Sequence, residues 1–230
     1  MADVSPEDLV RYFTYQSRGH MATTRLHKLA YLAQLHSYDS MGQPVTDLVF
    51  IRYKHGPWSP DLSEVIEDFE AGAEDVLVET TPSDHGIDRR FRPAKRKTTV
   101  TWTDNGKLVL RDMWAKLGYV PTQVLVAVCK SGSLFKRTAL AEIVDFVAYA
   151  RRREQALKGL EEMREAQTLS IPAWGFEWAV TKEEAGFSSE NQDLPGCITQ
   201  GDTFEELEAN MLEALLAYLE DRVKAVEILV

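Results

Sequence analysis

The stretch TTRLHKLAYLAQLHSY, residues 23–38, limits the possible folds more strongly than any other part of the chain. At helical spacing its leucines and alanines cover nearly every side of the helix. These residues are Leu26, Leu29, Ala30, Leu32, Ala33 and Leu35. A helix without a polar face must be buried, so other elements have to surround it. We therefore expect a mainly helical domain around this segment, with Thr23 or Thr24 as the N-cap.

Further helices flank the central one. Ser5 and Ser59 have the residue type of an N-cap, and each precedes a proline, the residue favoured in the first helical turn. The predicted helices begin at Pro6 and Pro60 and cover residues 104–117 and, with a break at Gly132, residues 121–164.

The β-structure of this half is expected to be small. VTDLVFIRY, residues 45–53, alternates like a strand and is followed by a Gly56-Pro57 turn. Short β-type runs occur at 76–80 and 98–102. The polar residues between them predict a long hairpin loop.

The C-terminal part has a different pattern. In WGFEWAV the residues Trp174, Phe176 and Trp178 alternate to one face, which we interpret as core rather than a binding stripe. Thr203 and Glu206 have the spacing of a capping box at the start of a last helix. The pattern predicts a β-β-β-α unit.

A charged helix, residues 151–167, connects the two parts and is expected to end at Ile171-Pro172. We divide the chain into an N-terminal domain (residues 1–155), a charged helical linker (156–170) and a C-terminal domain (171–230). The fold class is α+β: a mainly helical domain with a small antiparallel sheet, followed by a small β-β-β-α domain.

Charge separates the same two parts. Residues 171–230 contain 13 Asp and Glu against 3 Lys and Arg, whereas the rest of the chain is formally neutral. An acidic domain repels nucleic acid and attracts a basic partner.

Composition and cysteine usage indicate a cytoplasmic protein. No apolar run has the length of a membrane helix, and the acidic start MADVSPEDLV is unlike a signal peptide. Two isolated cysteines, Cys129 and Cys197, fit a reducing compartment better than a disulfide framework.

Catalytic chemistry has little support in the sequence. His27 and His36 lie on opposite faces of one helix and cannot share a metal. Asp193 and Asp202 lie in turns, where local hydrogen bonding is their expected role. Glu177 is the one candidate acid of a nuclease site, which would need several converging carboxylates. We predict no enzyme, no catalytic or metal-binding residue and no cofactor.

One basic run offers a nucleic-acid contact. It comprises Arg89, Arg90, Arg92, Lys95, Arg96 and Lys97, with Phe91 interleaved. Asp84 and Asp88 stand beside it, so we interpret the run as a solvated hairpin and expect nucleic-acid binding to be weak or absent.

The segment DLPGCITQGDTFEELEANMLEALLAYLED, within residues 173–221, resembles the antitoxin HicB, whose small domain is similar to part of a ribonuclease H fold. The resemblance rests on Asp193 to Cys197, on Gly201-Asp202-Thr203 and on Asn210 in the helix. The chain departs from that family in its second strand, where the polar FSSENQ replaces apolar residues.

Residues 5–150 are similar to the Panacea domain, also found in the proteolytic-adaptor antitoxin SocA, most strongly over 23–69. The residues that carry the similarity are Leu26, Lys28, Leu29, Tyr31, Leu32, Ala33, His36, Phe50, Tyr53, Gly56, Pro57 and Leu62. This resemblance implies neutralisation of a toxin by direct binding.

Both resemblances imply an antitoxin of a type II toxin–antitoxin system with a cognate, basic protein toxin as partner and possible self-association. In the N-terminal domain we predict partner contacts from Lys28, Tyr31, His36, Phe50, Tyr53, His55, Gly56, Pro57 and Trp58. In the C-terminal domain the partner-binding or fold-defining residues are Asp193, Leu194, Pro195, Gly196, Cys197, Gly201, Asp202 and Thr203. The alternatives are an adaptor that delivers a toxin to a protease and a DNA-binding autorepressor.

Overall fold

The computed structural model describes residues 3–72, 75–83, 86–94 and 99–228. The helices in these ranges are α1 (Pro6–Gln16), α2 (Thr23–Met41), α3 (Pro60–Gly72), α4 (Asp104–Leu117), α5 (Thr122–Ser131), α6 (Ser133–Arg137), α7 (Phe146–Glu161) and α8 (Phe204–Ile228). The strands are β1 (Met21–Ala22), β2 (Ile51–Tyr53), β3 (Gly56–Trp58), β4 (Val76–Ser83), β5 (Gly86–Pro93), β6 (Thr168–Ala173), β7 (Phe176–Lys182), β8 (Phe187–Asn191) and β9 (Ile198–Gly201). The α+β class is confirmed.

Helix α2 lies at the centre of the helical part, as its sequence predicts. Every residue from Leu26 to Tyr38 is buried, including polar ones such as Lys28 and Gln34. Helices α1, α4, α5 and α7 all contact α2. The predicted threonine cap is wrong, because Ala22 occupies the N-cap position without a capping side chain.

The other predicted caps form. The hydroxyl of Ser5 accepts a hydrogen bond from the amide of Asp8, and Ser59 accepts one from Leu62. Helix α4 has the predicted bounds, residues 104–117. These features depend on neighbouring residues only, which explains why the sequence reveals them.

The strand predictions for residues 76–102 need correction. Strands β4 and β5 pair in register from Val76↔Pro93 to Ser83↔Gly86, so most of the expected loop is strand. Residues 98–102 add no strand among the described residues, and only Trp102 forms a bridge, to Val4. The predicted β-type run 76–80 is confirmed as part of β4, whereas the polar, exposed side chains that follow conceal the rest of the hairpin in the sequence.

Two further boundaries differ from expectation. Only Ile51–Tyr53 of the predicted strand 45–53 is a strand. The helical pattern over 121–164 divides into α5, α6 and α7, and residues 138–145 between the last two are not helical. Asp145 caps α7 by accepting a hydrogen bond from the amide of Ala148.

The C-terminal unit is an antiparallel sheet in the order β6-β7-β8-β9, covered on one face by α8. The predicted β-β-β-α unit therefore has one more strand, β6, which contains the Ile171-Pro172 pair that was expected to end a helix. Helix α7 already ends at Glu161. Apolar side chains of α8 pack on the sheet: Leu207, Met211, Leu215 and Leu219.

The tip of the β6–β7 hairpin inserts into the helical part. Trp174 and Gly175 form the tip, and the Trp174 amide donates to Asp39 Oδ2 (2.9 Å). The Gly175 amide donates to the Tyr149 hydroxyl, and its carbonyl accepts from the Leu134 amide. Trp174 is buried, as expected, but in this turn rather than on the strand face shared by Phe176 and Trp178.

A buried ion pair closes the same joint. Arg153 of α7 lies 3.6 Å from Asp39 of α2, bonds to the Pro172 carbonyl and forms a salt bridge with Glu208 of α8. The division at residues 156–170 stays a prediction, because the apolar core is continuous from one part to the other.

None of the described helices combines the length and apolar character needed to cross a membrane.

Candidate protein-binding surface

Strands β2 and β3 form a hairpin that is held from beneath by α2. The ammonium group of Lys28 donates a hydrogen bond to the Pro57 carbonyl (2.8 Å). One residue earlier, the Nδ1 atom of His27 accepts from the Ser59 amide (3.4 Å). Two adjacent side chains of the central helix therefore fix the backbone of β3 and its exit.

Gly56 is required where the hairpin crosses Lys28. Its φ of +107° is a conformation that side chains rarely adopt, and a Cβ atom there would lie 2.8 Å from Lys28 Cε. Burial lowers the pKa of the Lys28 ammonium. The lysine is thus a buried tether for the hairpin rather than a contact residue.

The outer side of the hairpin carries aromatic residues. Tyr53 and His55 are exposed, and Trp58 is half-buried. The Tyr53 ring lies 6.3 Å from His55 and 6.0 Å from Trp58, and Trp58 stacks on the buried His27. We call Tyr53, Lys54, His55 and Trp58 the hairpin surface.

An apolar strip that the sequence analysis missed continues from the hairpin. Ile51 forms a bridge with Ile143, which is 62% exposed, and Val49 and Val147 border the same groove of about 480 Å³. Val147 is 47% and Val49 41% exposed.

One signal in the sequence could have revealed this strip. Asp145 has the residue type of an N-cap before FVAYARR, so it indicates that residues 138–145 lie outside the following helix.

Several predicted contact residues lie in the core instead. Tyr31 and Phe50 are buried and pack edge-to-face against each other. His36 is buried as well, with its Nε2 atom 2.7 Å from Asp112. Burial lowers the pKa of His36. Of the nine predicted N-terminal residues, only Tyr53, His55 and Trp58 have side chains that reach the surface.

The predicted C-terminal loop is held largely by its own hydrogen bonds. Asn191 Oδ1 accepts from the amides of Asp193 and Leu194, and the Cys197 amide donates to the Leu194 carbonyl. Leu194 and Cys197 are buried, whereas Pro195 and Gly196 are exposed. The loop therefore defines the fold and offers a short exposed tip.

Asp193 also joins the loop to the helical part. Its Oδ2 atom accepts hydrogen bonds from the Ser133 amide and the Glu177 amide, both at 3.0 Å. Sequence reasoning placed Asp193 in a turn but did not foresee this bridge to α6. The bridge depends on a contact between residues 60 positions apart.

Thr203 caps the start of α8 as predicted, but the reciprocal bond of the capping box goes to Asp202, one residue before the N-cap. The Thr203 hydroxyl accepts from the Glu206 amide (3.1 Å), and Glu206 in turn accepts from the Asp202 amide (2.9 Å). Gly201 is packed against the first turn of α8, where a Cβ atom would lie 2.5 Å from the Leu207 nitrogen. These residues hold the acidic helix rigidly on the sheet.

The groups considered for catalysis have other partners. Glu177 accepts a hydrogen bond from Arg152 (2.5 Å) and pairs with Arg137 (3.3 Å). Across the described residues, no three His, Cys, Asp or Glu side chains group as a metal site. Cys129 and Cys197 are free and buried.

The described part of the basic run, Arg89, Arg90 and Arg92, lies on β5 rather than in a loop tip. Arg89 pairs with Glu70, and Arg92 pairs with Glu79. Lys95, Arg96, Lys97 and Asp84 lie outside the described residues. The described part of the run is thus partly neutralised by carboxylates.

The helical part contains a segment that is similar to a known family. Residues 26–132 match the family described as "Antitoxin SocA-like, Panacea domain". The matched residues include the whole β2–β3 hairpin and end at Gly132, before the C-terminal sheet. No curated protein and no solved structure matches the chain.

Proposed function

We propose that this chain is an antitoxin of a type II toxin–antitoxin system that neutralises a cognate protein toxin by direct stoichiometric binding. The observation that carries this proposal is the match of residues 26–132 to an antitoxin family. The aromatic hairpin and the adjoining apolar strip supply a surface suited to protein binding, and the buried Lys28 holds the hairpin in place.

The hairpin is the proposed main contact. Tyr53 and Trp58 are large side chains of the type that dominates interface energetics. The bonds from Lys28 and His27 hold the hairpin before a partner arrives, which lowers the entropy lost on binding.

The C-terminal unit is proposed to add a second contact. Toxins that act on RNA need basic surfaces, and the formal charge of −10 on residues 171–230 would steer such a surface to this unit. Its resemblance to HicB stays a prediction. Self-association through the free edge of β9 is the remaining option for this unit.

The test is co-expression with each neighbouring open reading frame in a growth assay, followed by purification over a tag on this chain. Rescue from one toxic neighbour and a stoichiometric complex are expected. Tyr53→Ala should weaken the complex at least about tenfold, whereas Tyr119→Ala should leave it unchanged. Tyr119 is the matched control, because it is exposed and its ring packs against Trp114 of α4 rather than against a hairpin residue.

Other outcomes would favour the alternatives. Rescue by a small amount of antitoxin, with loss of the toxin in a protease-dependent manner, would indicate an adaptor. Salt-dependent binding of the purified chain to DNA would indicate an autorepressor. If no neighbour is toxic and nothing co-purifies, direct neutralisation fails.

A further inference from the structure

The hairpin surface is surrounded by basic side chains that no carboxylate neutralises. Lys54 lies in the turn, Lys130 lies in the last turn of α5 beside Gly56, and Lys136 lies on α6. All three are exposed, and none has an ion-pair partner in the part of the chain that the structure describes. Unpaired lysines on a chain of net charge −10 are a distinct local feature.

Arg52 extends this basic area without being neutralised. Its guanidinium donates to the carbonyls of Lys136 (2.7 Å) and Thr138 (2.6 Å) and lies over the Phe135 ring. Carbonyl oxygens fix the position of the guanidinium but leave its positive charge in place.

The carboxylates of the adjoining segment do not cancel these charges. Residues 138–145 contribute Glu142 and Asp145, and Asp145 is already used to cap α7. Capping leaves the charge of Asp145 in place, and Asp47 lines the same groove. Among the described residues, however, no carboxylate forms an ion pair with the four basic side chains, whereas the C-terminal unit is strongly acidic.

The apolar strip lies directly beside the basic residues. Ile51, next to Arg52 in the chain, bridges to Ile143, and the strip continues to Val49 and Val147. A ligand that covers both areas needs carboxylates at one end and apolar side chains at the other.

We propose that the hairpin surface binds an acidic segment of a protein partner that also carries apolar side chains. The proposal rests on the proposed function, since it names the part of the partner that meets this surface. It also separates the two contacts: the acidic C-terminal unit attracts basic residues of the partner, and the hairpin surface attracts acidic ones.

A protein segment fits better than nucleic acid. A polyanion would gain from four basic side chains but would meet the charge of −10 on residues 171–230. The exposed isoleucine and valine side chains offer nothing to phosphates, whereas they can bury apolar side chains of a peptide.

Selection of random peptides displayed on phage, carried out on the full-length chain at low salt, tests the proposal. Enriched peptides should combine Asp or Glu with apolar residues. In the double variant Lys54→Glu/Lys130→Glu their affinity should fall at least about tenfold. The matched control is Lys158→Glu/Lys224→Glu, which makes the same charge change at two exposed lysines of α7 and α8. Circular dichroism checks that both variants fold.

We call Lys54→Glu/Lys130→Glu the hairpin variant. The proposal would be overturned if the enriched peptides were basic or uncharged, or if they bound the hairpin variant and the parent equally. Binding of a single-stranded RNA probe, lost in the hairpin variant while peptides show none, would also overturn it. The growth assay distinguishes the two proposals. Rescue that persists in the hairpin variant refutes only the acidic-segment contact, and selective peptide binding without any rescued toxin refutes only the antitoxin function.

Discussion

The indole of Trp174 lies parallel to the imidazole of His36, with ring centroids 5.1 Å apart and planes inclined by 5°. Trp174 belongs to the hairpin of the C-terminal sheet, and His36 belongs to the central helix α2. The stack forms one side of a joint whose other contacts are backbone hydrogen bonds from the hairpin tip to Asp39, Tyr149 and Leu134. The two parts of the chain therefore meet through a tight backbone approach.

Gly132→Ala should disrupt this approach. The backbone of Gly132, at φ −72° and ψ 151°, suits any residue, but a Cβ atom would overlap the carbonyl oxygen of Gly175. We expect a loss of about 2 kcal/mol or more in the free energy of unfolding, measured with urea.

The control is Gly42→Ala, at the end of α2. Gly42 has φ +69°, yet no atom lies within 4 Å of the added Cβ. This change should cost about 1 kcal/mol of backbone strain alone. Equal effects of the two variants would mean that the Gly132–Gly175 contact contributes no steric constraint.

Asp39→Asn should change how stability depends on pH. Burial, opposed by Arg153 and Tyr149, raises the pKa of Asp39 from 3.8 to about 6. The native state therefore binds this proton more tightly than the unfolded state, and the group stabilises the fold as pH falls from about 6 to about 4. Relative to Asp39→Asn, the parent should gain about 2 kcal/mol between about pH 7 and about pH 4.

Urea unfolding of both proteins across that pH range measures the difference directly. The comparison cancels the contributions of the buried histidines, which both proteins share. A difference in the free energy of unfolding that stays constant with pH would contradict the raised pKa of Asp39.

His27 should remain neutral in mildly acidic solution. Burial, followed by the charge of Lys28, lowers the pKa of His27 to about 3. The neutral His27 contributes fully to the stability of the fold above pH 6.5, the pKa of the unfolded state. This contribution is lost as the pH falls towards about 3, the pKa in the folded state. Long-range ¹H–¹⁵N spectra of the imidazole should show no protonation at about pH 5.

The variant His27→Phe keeps a ring against Trp58 but has no titrating group. Its stability should fall less steeply on acidification than that of the parent. Parallel acid unfolding curves would show that His27 does not contribute to acid sensitivity.

Lys28→Met should loosen the hairpin without unfolding the domain. Methionine fills a similar volume but cannot donate to the Pro57 carbonyl, so the change in global stability should stay below about 1.5 kcal/mol. Hydrogen exchange of the amides in residues 51–58 should become faster, and rescue in the growth assay should weaken.

Lys130→Met serves as the comparison for Lys28→Met. It removes a neighbouring lysine that is exposed and forms no hydrogen bond among the described residues. Faster exchange in both variants, or in neither, would show that the buried tether does not order the hairpin.

Local patterns account for the features that sequence reasoning identified. The apolar residues of α2, the bounds of α4 and the N-cap at Thr203 each follow from residues within one or two helical turns. The start of β4 was predicted as the β-type run 76–80. Its continuation to Ser83 and the whole of β5 were missed, because they carry mostly polar, exposed residues, which resemble a loop in sequence.

The binding surface was only partly predictable for a different reason. Tyr53, His55 and Trp58 follow from their place around Gly56-Pro57, although the turn itself lies two residues earlier than predicted, at Lys54-His55, and Gly56-Pro57 begins β3. The bridge from Ile51 to Ile143 joins residues 92 positions apart. No local pattern specifies such a pairing.

The amino-acid order was thus sufficient for the buried central helix, the caps at Ser5, Ser59 and Thr203 and the uneven charge, since each depends on nearby residues or on composition. Tertiary packing decided that Lys28, Tyr31, His36 and Phe50 are buried while Ile143 and Val147 are exposed. The reason is that burial depends on which distant elements cover a side chain. For the same reason, only the folded chain brings the basic residues and the apolar strip together beside the hairpin.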